Sequence, residues 1–145
     1  KHLTTTAKIP NILSFDHDEV GYNYRLPNLN AALGVAQMES LSEYLKSKRD
    51  VAIKYQNWGR DNEVLFFTEH ADSSSNYWLN CVITENEKTR DLMLKVTNDN
   101  NIMTRPIWKP MHKLLMYQNC QKTDLSNTEW LYSRVVNVPS SPIIN

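Results

Sequence analysis

The 145 residues carry sixteen basic and sixteen acidic side chains and are 41% hydrophobic, which fits one ordinary globular domain with its own core. With no formal net charge, the chain offers no electrostatic attraction for nucleic acid or an anionic membrane, so neither is expected as a partner. No apolar run approaches the roughly 20 residues that span a bilayer. The opening Lys1-His2-Leu3-Thr4-Thr5-Thr6 has neither a signal-peptide core nor an initiating Met, so the chain is expected to begin inside a longer, cytoplasmic one.

Residues 1–28 show no sustained period, contain Pro10, Gly21 and Pro27, and read as a long ordered loop. Loops of that length are functional or pack against something else, so the segment is not expected to be an independent unit. Asn28 can cap a helix. Leu29, Ala32, Leu33, Ala36, Leu41, Tyr44, Leu45, Ala52, Tyr55 and Trp58 then recur at mostly three- and four-residue steps. That spacing predicts one amphipathic helix of about 30 residues, ending near Gly59 as a left-handed cap. A strand is predicted at 64–67, a turn at 72–76 and the strongest strand at 77–84. Lys88 or Thr89 opens a helix stopped by Asn98-Asp99-Asn100-Asn101. Residues 102–108 read as a strand at an edge, or ending, at Pro106. Pro110 suits the first turn of a short helix through Tyr117. A helix near 126–134 and a strand at 135–138 follow. This order makes a compact α+β unit with the long helix across it.

The three glycines form no phosphate loop, no HExxH or CxxC pair supplies metal-ligand spacing, and the four histidines are scattered, so no metal site is expected. His17 between Asp16 and Asp18 reads as part of a solvated loop. Cys81 reads as a buried strand residue and Cys120 as an ordinary thiol, without a disulfide. Two segments concentrate chemistry. Gly21-Tyr22-Asn23-Tyr24-Arg25-Leu26-Pro27-Asn28 puts two tyrosines, an amide and a guanidinium on a loop, to recognise a ligand or to pin the loop to a neighbour. Thr104-Arg105-Pro106-Ile107-Trp108-Lys109-Pro110-Met111-His112 puts two cations, an indole and an imidazole on a proline-stiffened turn. Such a turn can stack on a base and pair with phosphate oxygens; equally, it can be structural, with Trp108 in the core.

The run from His17 through the Gly21-Tyr22-Asn23-Tyr24-Arg25 motif to Ala31-Ala32-Leu33-Gly34 resembles the signature that follows the cofactor lysine in the DegT-type sugar aminotransferases. The segment from Thr104 to His112, with Tyr117 five positions on, resembles that family's RPxWxPxH segment, and Val138-Pro139-Ser140-Ser141 its closing strand. The opening residues and the His-Asp-Glu-Val form of the first motif most resemble members that aminate UDP-4-keto-6-deoxy-N-acetylhexosamines, on routes to bacillosamine- or legionaminic-type sugars. GDP-perosamine synthases are close relatives. Leu26-Pro27 stands where many members have Met-Ser or Leu-Ser, which bears on the subfamily only.

The resemblance implies the aspartate-aminotransferase architecture (fold type I, α/β in the parent enzyme). Within it this chain would be the carboxy-terminal α+β part, a long helix with a small, mainly antiparallel sheet. Residues 1–28 would end the large pyridoxal-phosphate domain, 29–60 would be the connecting helix and 61–145 the small domain. It further implies amino transfer from glutamate to the C4 ketone of a nucleotide-linked deoxy sugar for surface glycans, with pyridoxal phosphate as electron sink and a lysine as general base. That lysine would lie upstream, so the chain contains no expected catalytic residue and by itself should be inactive. Asn23 matches the asparagine that crosses a homodimer interface to the partner's cofactor phosphate, and Arg25 a neighbouring cofactor-site position. Arg105, Trp108, Lys109, His112 and Tyr117 match the nucleotide-sugar pocket, with Arg105 and His112 the preferred pair. Tyr22 and Tyr24 would pack the loop, and Gly34 would allow close helix packing. The family's dehydratase branch, which replaces the cofactor lysine by histidine, and a non-catalytic binding or dimerisation module are the alternatives.

Overall fold

Residues 28–61 form two helices instead of one. The computed structural model describes residues 1–10, 13–24 and 26–143, and places α1 at Asn28–Glu39 and α2 at Leu41–Asp61, with Ser40 between them at φ −100° and ψ 4°. The apolar series steps by five from Ala36 to Leu41, too far for one continuous stripe, and the chain takes up that slip at Ser40. Pro27, not Asn28, occupies the amino-terminal boundary of α1, without a side-chain cap. The two helices differ in burial: α1 has no buried residue, while α2 buries Ala52 and Gly59.

Gly59 is not the left-handed cap. The helix continues to Asp61, and the chain turns at Glu63, whose φ is 56°. Gly59 instead permits a close approach: a Cβ there would lie 2.5 Å from the Val64 carbonyl oxygen and 2.6 Å from the Phe66 ring. Phe66 is the start of the core. It packs with Val82 and Val138, covered by Tyr55 of α2, Val64 and Met93, and its ring stacks on Tyr55 with centroids 5.2 Å apart.

The sheet is antiparallel throughout. Strand β1 (Asn80–Ile83) and the two-residue β2 (Arg105–Pro106) flank the central β3 (Val135–Val138). Every residue of β3 is buried. Residues 65–67 add a partial fourth strand beside β1, through a bridge between Phe66 and Val82 and through the Phe67 N–H donating to the Cys81 carbonyl at 2.9 Å. The strands at 77–84 and 102–108 are shorter than expected for local reasons. Tyr77 sits at φ 45°, outside strand geometry, and Pro106 has no N–H with which to extend a ladder.

Helix α3 (Glu87–Asp99) begins just ahead of the expected position because Asn86 caps it, its side-chain oxygen accepting from the Thr89 N–H at 3.0 Å. After Pro110 the chain makes two 3-10 turns, Met111–Lys113 and Leu115–Tyr117, in place of one short helix. Helix α4 spans Ser126–Tyr132. Cys81 and Cys120 are both free thiols.

Residues before α1 fold back on themselves more than their sequence implies. Ala7 is fully buried, Lys8 bridges His17, and the Tyr22 N–H donates to the Leu3 carbonyl at 2.7 Å. His17 is held by the Thr6 carbonyl, so it is tied to the segment around Ala7 and not simply solvated. A Cβ on Gly21 would lie 2.7 Å from the Ala7 nitrogen, so only glycine fits that crossing. Gly34, in contrast, has nothing within 4 Å; the close packing expected of it is not made within this chain.

Candidate functional site

Two cavities flank the 105–117 segment, and they divide the residues that the sequence grouped together. The first, of about 570 Å³, has Trp78, Arg105, Trp108, Asn137 and Ser140 in its wall. Its aromatic side is a ladder of three rings. Trp78 and Trp108 stack with centroids 5.7 Å apart and planes 29° from parallel, and Phe15 meets Trp108 at 5.3 Å. Trp108 therefore does not belong to the core: it is 42% exposed, and its ring faces are shared between Phe15 and Trp78. Lys8 closes the outer end, with its ammonium 4.2 Å from the Phe15 ring centre.

Arg105 is placed by β2, whose pairing with Asn137 and Val136 fixes the backbone. Asn137 is buried and stitches the wall: its amide donates to the Pro106 carbonyl at 3.2 Å and accepts from the Cys81 thiol at 3.1 Å. Burial pushes the Cys81 thiol pKa up, which keeps it protonated as the donor. Lys109 turns away to Asp16, 3.1 Å from its carboxylate. The Ser14 hydroxyl and then Lys109 hold the Asp16 carboxyl below its usual range. This pair fastens the segment around Asp16 to the 105–110 turn, but it leaves Lys109 partly neutralised.

The second cavity, of about 640 Å³, is lined by Pro110, His112, Tyr117, Cys120, Leu125 and Thr128, among others. Glu129 of α4 receives both the His112 ring and the Lys113 ammonium, and those two contacts, Lys113 first, lower its pKa. His112 and Tyr117 thus share one cavity, and Arg105 and Trp108 share the other. The preferred pair, Arg105 and His112, does not converge on one space.

Asn23 stands on an exposed loop between Tyr22 and Tyr24, whose rings stack at 6.2 Å and are 57% and 80% exposed. The tyrosines pack on each other, not into the chain. Arg25 lies outside the described residues. Trp78, Phe15, Asp16 and Glu129 were not singled out by sequence. Trp78 carried no periodic signal either: Tyr77 at φ 45° lies outside strand geometry, so strand alternation does not reach residue 78. Among the described residues no group of three or more His, Cys, Asp or Glu is placed to hold a metal, and no helix is long and apolar enough to cross a membrane.

A model of the DegT/DnrJ/EryC1/StrS aminotransferase family matches residues 6–145. GDP-perosamine synthase of Vibrio cholerae is 36% identical over 129 residues, covering 87% of this chain and 35% of that protein. The GDP-perosamine synthase of Escherichia coli O157:H7 is 33% identical over 130 residues, covering 89% and 35%. The chain spans about a third of the length of these curated relatives. Among solved structures, PseC of Helicobacter pylori, an aminotransferase involved in pseudoaminic acid biosynthesis, superposes with a TM-score of 0.70 at 18% identity, over 99% of this chain and 40% of that one. The fold is accordingly that of part of an aspartate-aminotransferase-type sugar aminotransferase.

Proposed function

The chain belongs to the DegT/DnrJ/EryC1/StrS aminotransferase family, and on that premise we propose that it is the carboxy-terminal portion of a cytoplasmic, pyridoxal-phosphate-dependent homodimer. The whole enzyme would transfer an amino group from glutamate to the C4 ketone of a UDP- or GDP-linked deoxy sugar for surface polysaccharide. Residues 1–28 would complete the cofactor domain, 29–60 connect, and 61–145 form the small domain. The observation that carries this reading is the cavity that sets two stacked indoles beside Arg105. Flat apolar rings suit a base and a guanidinium suits a diphosphate, and a nucleotide sugar presents both.

Each proposed residue has a part that its surroundings allow. Arg105 would pair with phosphate oxygens, and Trp108, whose ring already meets Phe15 and Trp78, would offer its exposed edge to the base. Lys109 contributes a shared charge at the rim, because Asp16 already holds it. His112 and Tyr117 face the adjoining cavity, where ring donors can meet sugar hydroxyls. Pyridoxal phosphate, when bound, supplies the electron sink. Asn23 would meet a phosphate held by a second subunit: it stands on an exposed loop, and an amide N–H can donate to a phosphate oxygen. Arg25 would add a charge-assisted contact there. On this reading the cofactor lysine would lie outside these residues, because no lysine of this chain, Lys8 included, stands in the family's lysine context.

Asn23→Ala in the whole enzyme is expected to weaken cofactor retention by about 10-fold or more, the worth of a hydrogen bond to a charged group. Equilibrium dialysis of the cofactor measures it, and unchanged affinity would remove Asn23 from the site. Product analysis with UDP- and GDP-linked 4-keto sugars then separates amination from dehydration.

A further inference from the structure

Strands β1 and β3 stop pairing at Asn80 and Val138, just where the aromatic cavity opens. In register, 79 would face 139 and 78 would face 140, the latter two being the next pair placed to exchange ladder hydrogen bonds. They do not pair. The Trp78 N–H turns instead to the Asn76 side chain at 2.9 Å. The Ser140 hydroxyl takes the Asn80 N–H at 2.7 Å and donates to the Val138 carbonyl at 2.8 Å. Into the gap comes Lys48 from α2. Its ammonium donates to the Trp78 carbonyl at 3.2 Å and to the Ser140 carbonyl at 2.7 Å. No carboxylate pairs with it among the described residues, and burial lowers its pKa below the usual lysine value.

An ammonium has only donors, so it can turn two carbonyls toward one point, which a backbone rung, with one donor and one acceptor, cannot do. Trp78 and Ser140 both line the cavity. Neighbouring α2 contacts hold the same carboxy-terminal strap. Ser47 exchanges hydrogen bonds with the Ile143 backbone at 2.8 and 2.9 Å, and the Tyr55 hydroxyl donates to the Pro139 carbonyl at 2.9 Å. Lys48 differs from them in reaching both walls.

We infer that Lys48 is a positioning residue of the aromatic cavity, replacing the next rung of the β1–β3 ladder with an ammonium clasp that sets the Trp78 indole against Trp108. The consequence for ligand binding rests on the nucleotide reading of the cavity; the clasp itself does not. A clasp that holds both walls keeps the two indoles stacked before any ligand arrives, so binding need not order them.

Two readouts test this on the protein and on Lys48→Met, Lys48→Gln and Lys48→Arg. Far-ultraviolet circular dichroism reads the exciton signal of the stacked Trp78 and Trp108, assigned by its loss in Trp78→Phe. Tryptophan fluorescence reads the binding of UDP and of GDP. Lys48→Met and Lys48→Gln should keep their helix content, lose half or more of the exciton signal, and bind nucleotide about tenfold more weakly. Lys48→Arg, which keeps two donors, should retain both properties. A full exciton signal in Lys48→Met or Lys48→Gln would overturn the inference, as would failure of both variants to fold, because Lys48 would then be a general structural residue. If the unaltered protein shows the exciton signal and Lys48 governs it, yet neither nucleotide binds, the clasp stands and the nucleotide reading of the cavity falls.

Discussion

Glu69 shows how much one residue in this chain depends on partners distant in sequence. Its carboxylate accepts from Arg49 at 2.6 and 3.3 Å and from the Ser75 N–H at 2.6 Å, and these donors, Arg49 foremost, hold its pKa at about 2. The Arg49 guanidinium also lies 5.1 Å from the Tyr77 ring centre, so one cation ties α2 to the loop before β1. A carboxyl whose pKa is depressed on folding stabilises the fold above its unfolded value, 4.5, and loses that contribution as pH falls toward about 2. Glu69→Gln should therefore unfold more readily than the parent at pH 7, with the difference fading between those two values. Urea denaturation at a series of pH values measures it, and a pH-independent difference would contradict the assignment. Nothing in the local sequence of Glu69 announces this role. Arg105 and Trp108, by contrast, could be picked out as candidates because their chemistry is concentrated in one short stretch, whereas Phe15 and Trp78 reach Trp108 from 93 and 30 positions away.

Helices α1 and α2 carry the lesson at the scale of elements. Apolar spacing correctly called for helix across residues 28–61, but it did not register the five-residue step at Ser40 as a break. Gly59 was read by its propensity to end helices, and its neighbours show a different cause. Replacing it by Ala would gain about 1 kcal/mol of helix propensity. The new Cβ would strike the Val64 carbonyl and the Phe66 ring, and overpacking of this kind costs about 1–3 kcal/mol. Because one of the two obstacles is backbone, relief requires moving the turn after α2, so the overpacking term outweighs the propensity gain. Gly59→Ala is expected to destabilise by up to about 2 kcal/mol, read as a lower midpoint in chemical denaturation. A variant at least as stable as the parent would show that the helix and the Phe66 segment can separate at no cost.

The molecule as a whole is lopsided. The sheet, α2 and the carboxy-terminal strap bury a shared core, while α1 exposes Leu29, Leu33, Val35 and Met38, Leu29 by 81%. With the cofactor lysine proposed to lie outside these residues, the 145-residue chain mixed with pyridoxal phosphate should develop no stoichiometric visible absorption band after dialysis. Such a band, lost on mutating one of its own lysines, would contradict that placement. By itself the sequence determined the α+β character, most helix and strand positions and the two motifs that carry chemistry, and through those motifs the family resemblance that implied an antiparallel sheet. These are written in local spacing and residue type, which contiguous sequence records directly. Only the tertiary structure decided that Arg105 and His112 face different cavities, that Asp16 and Glu129 already occupy Lys109 and His112, and that Lys48 bridges the Trp78 and Ser140 carbonyls beyond the end of the β1–β3 ladder. Such facts depend on which distant segments meet, and packing among remote side chains leaves no period in the chain to read.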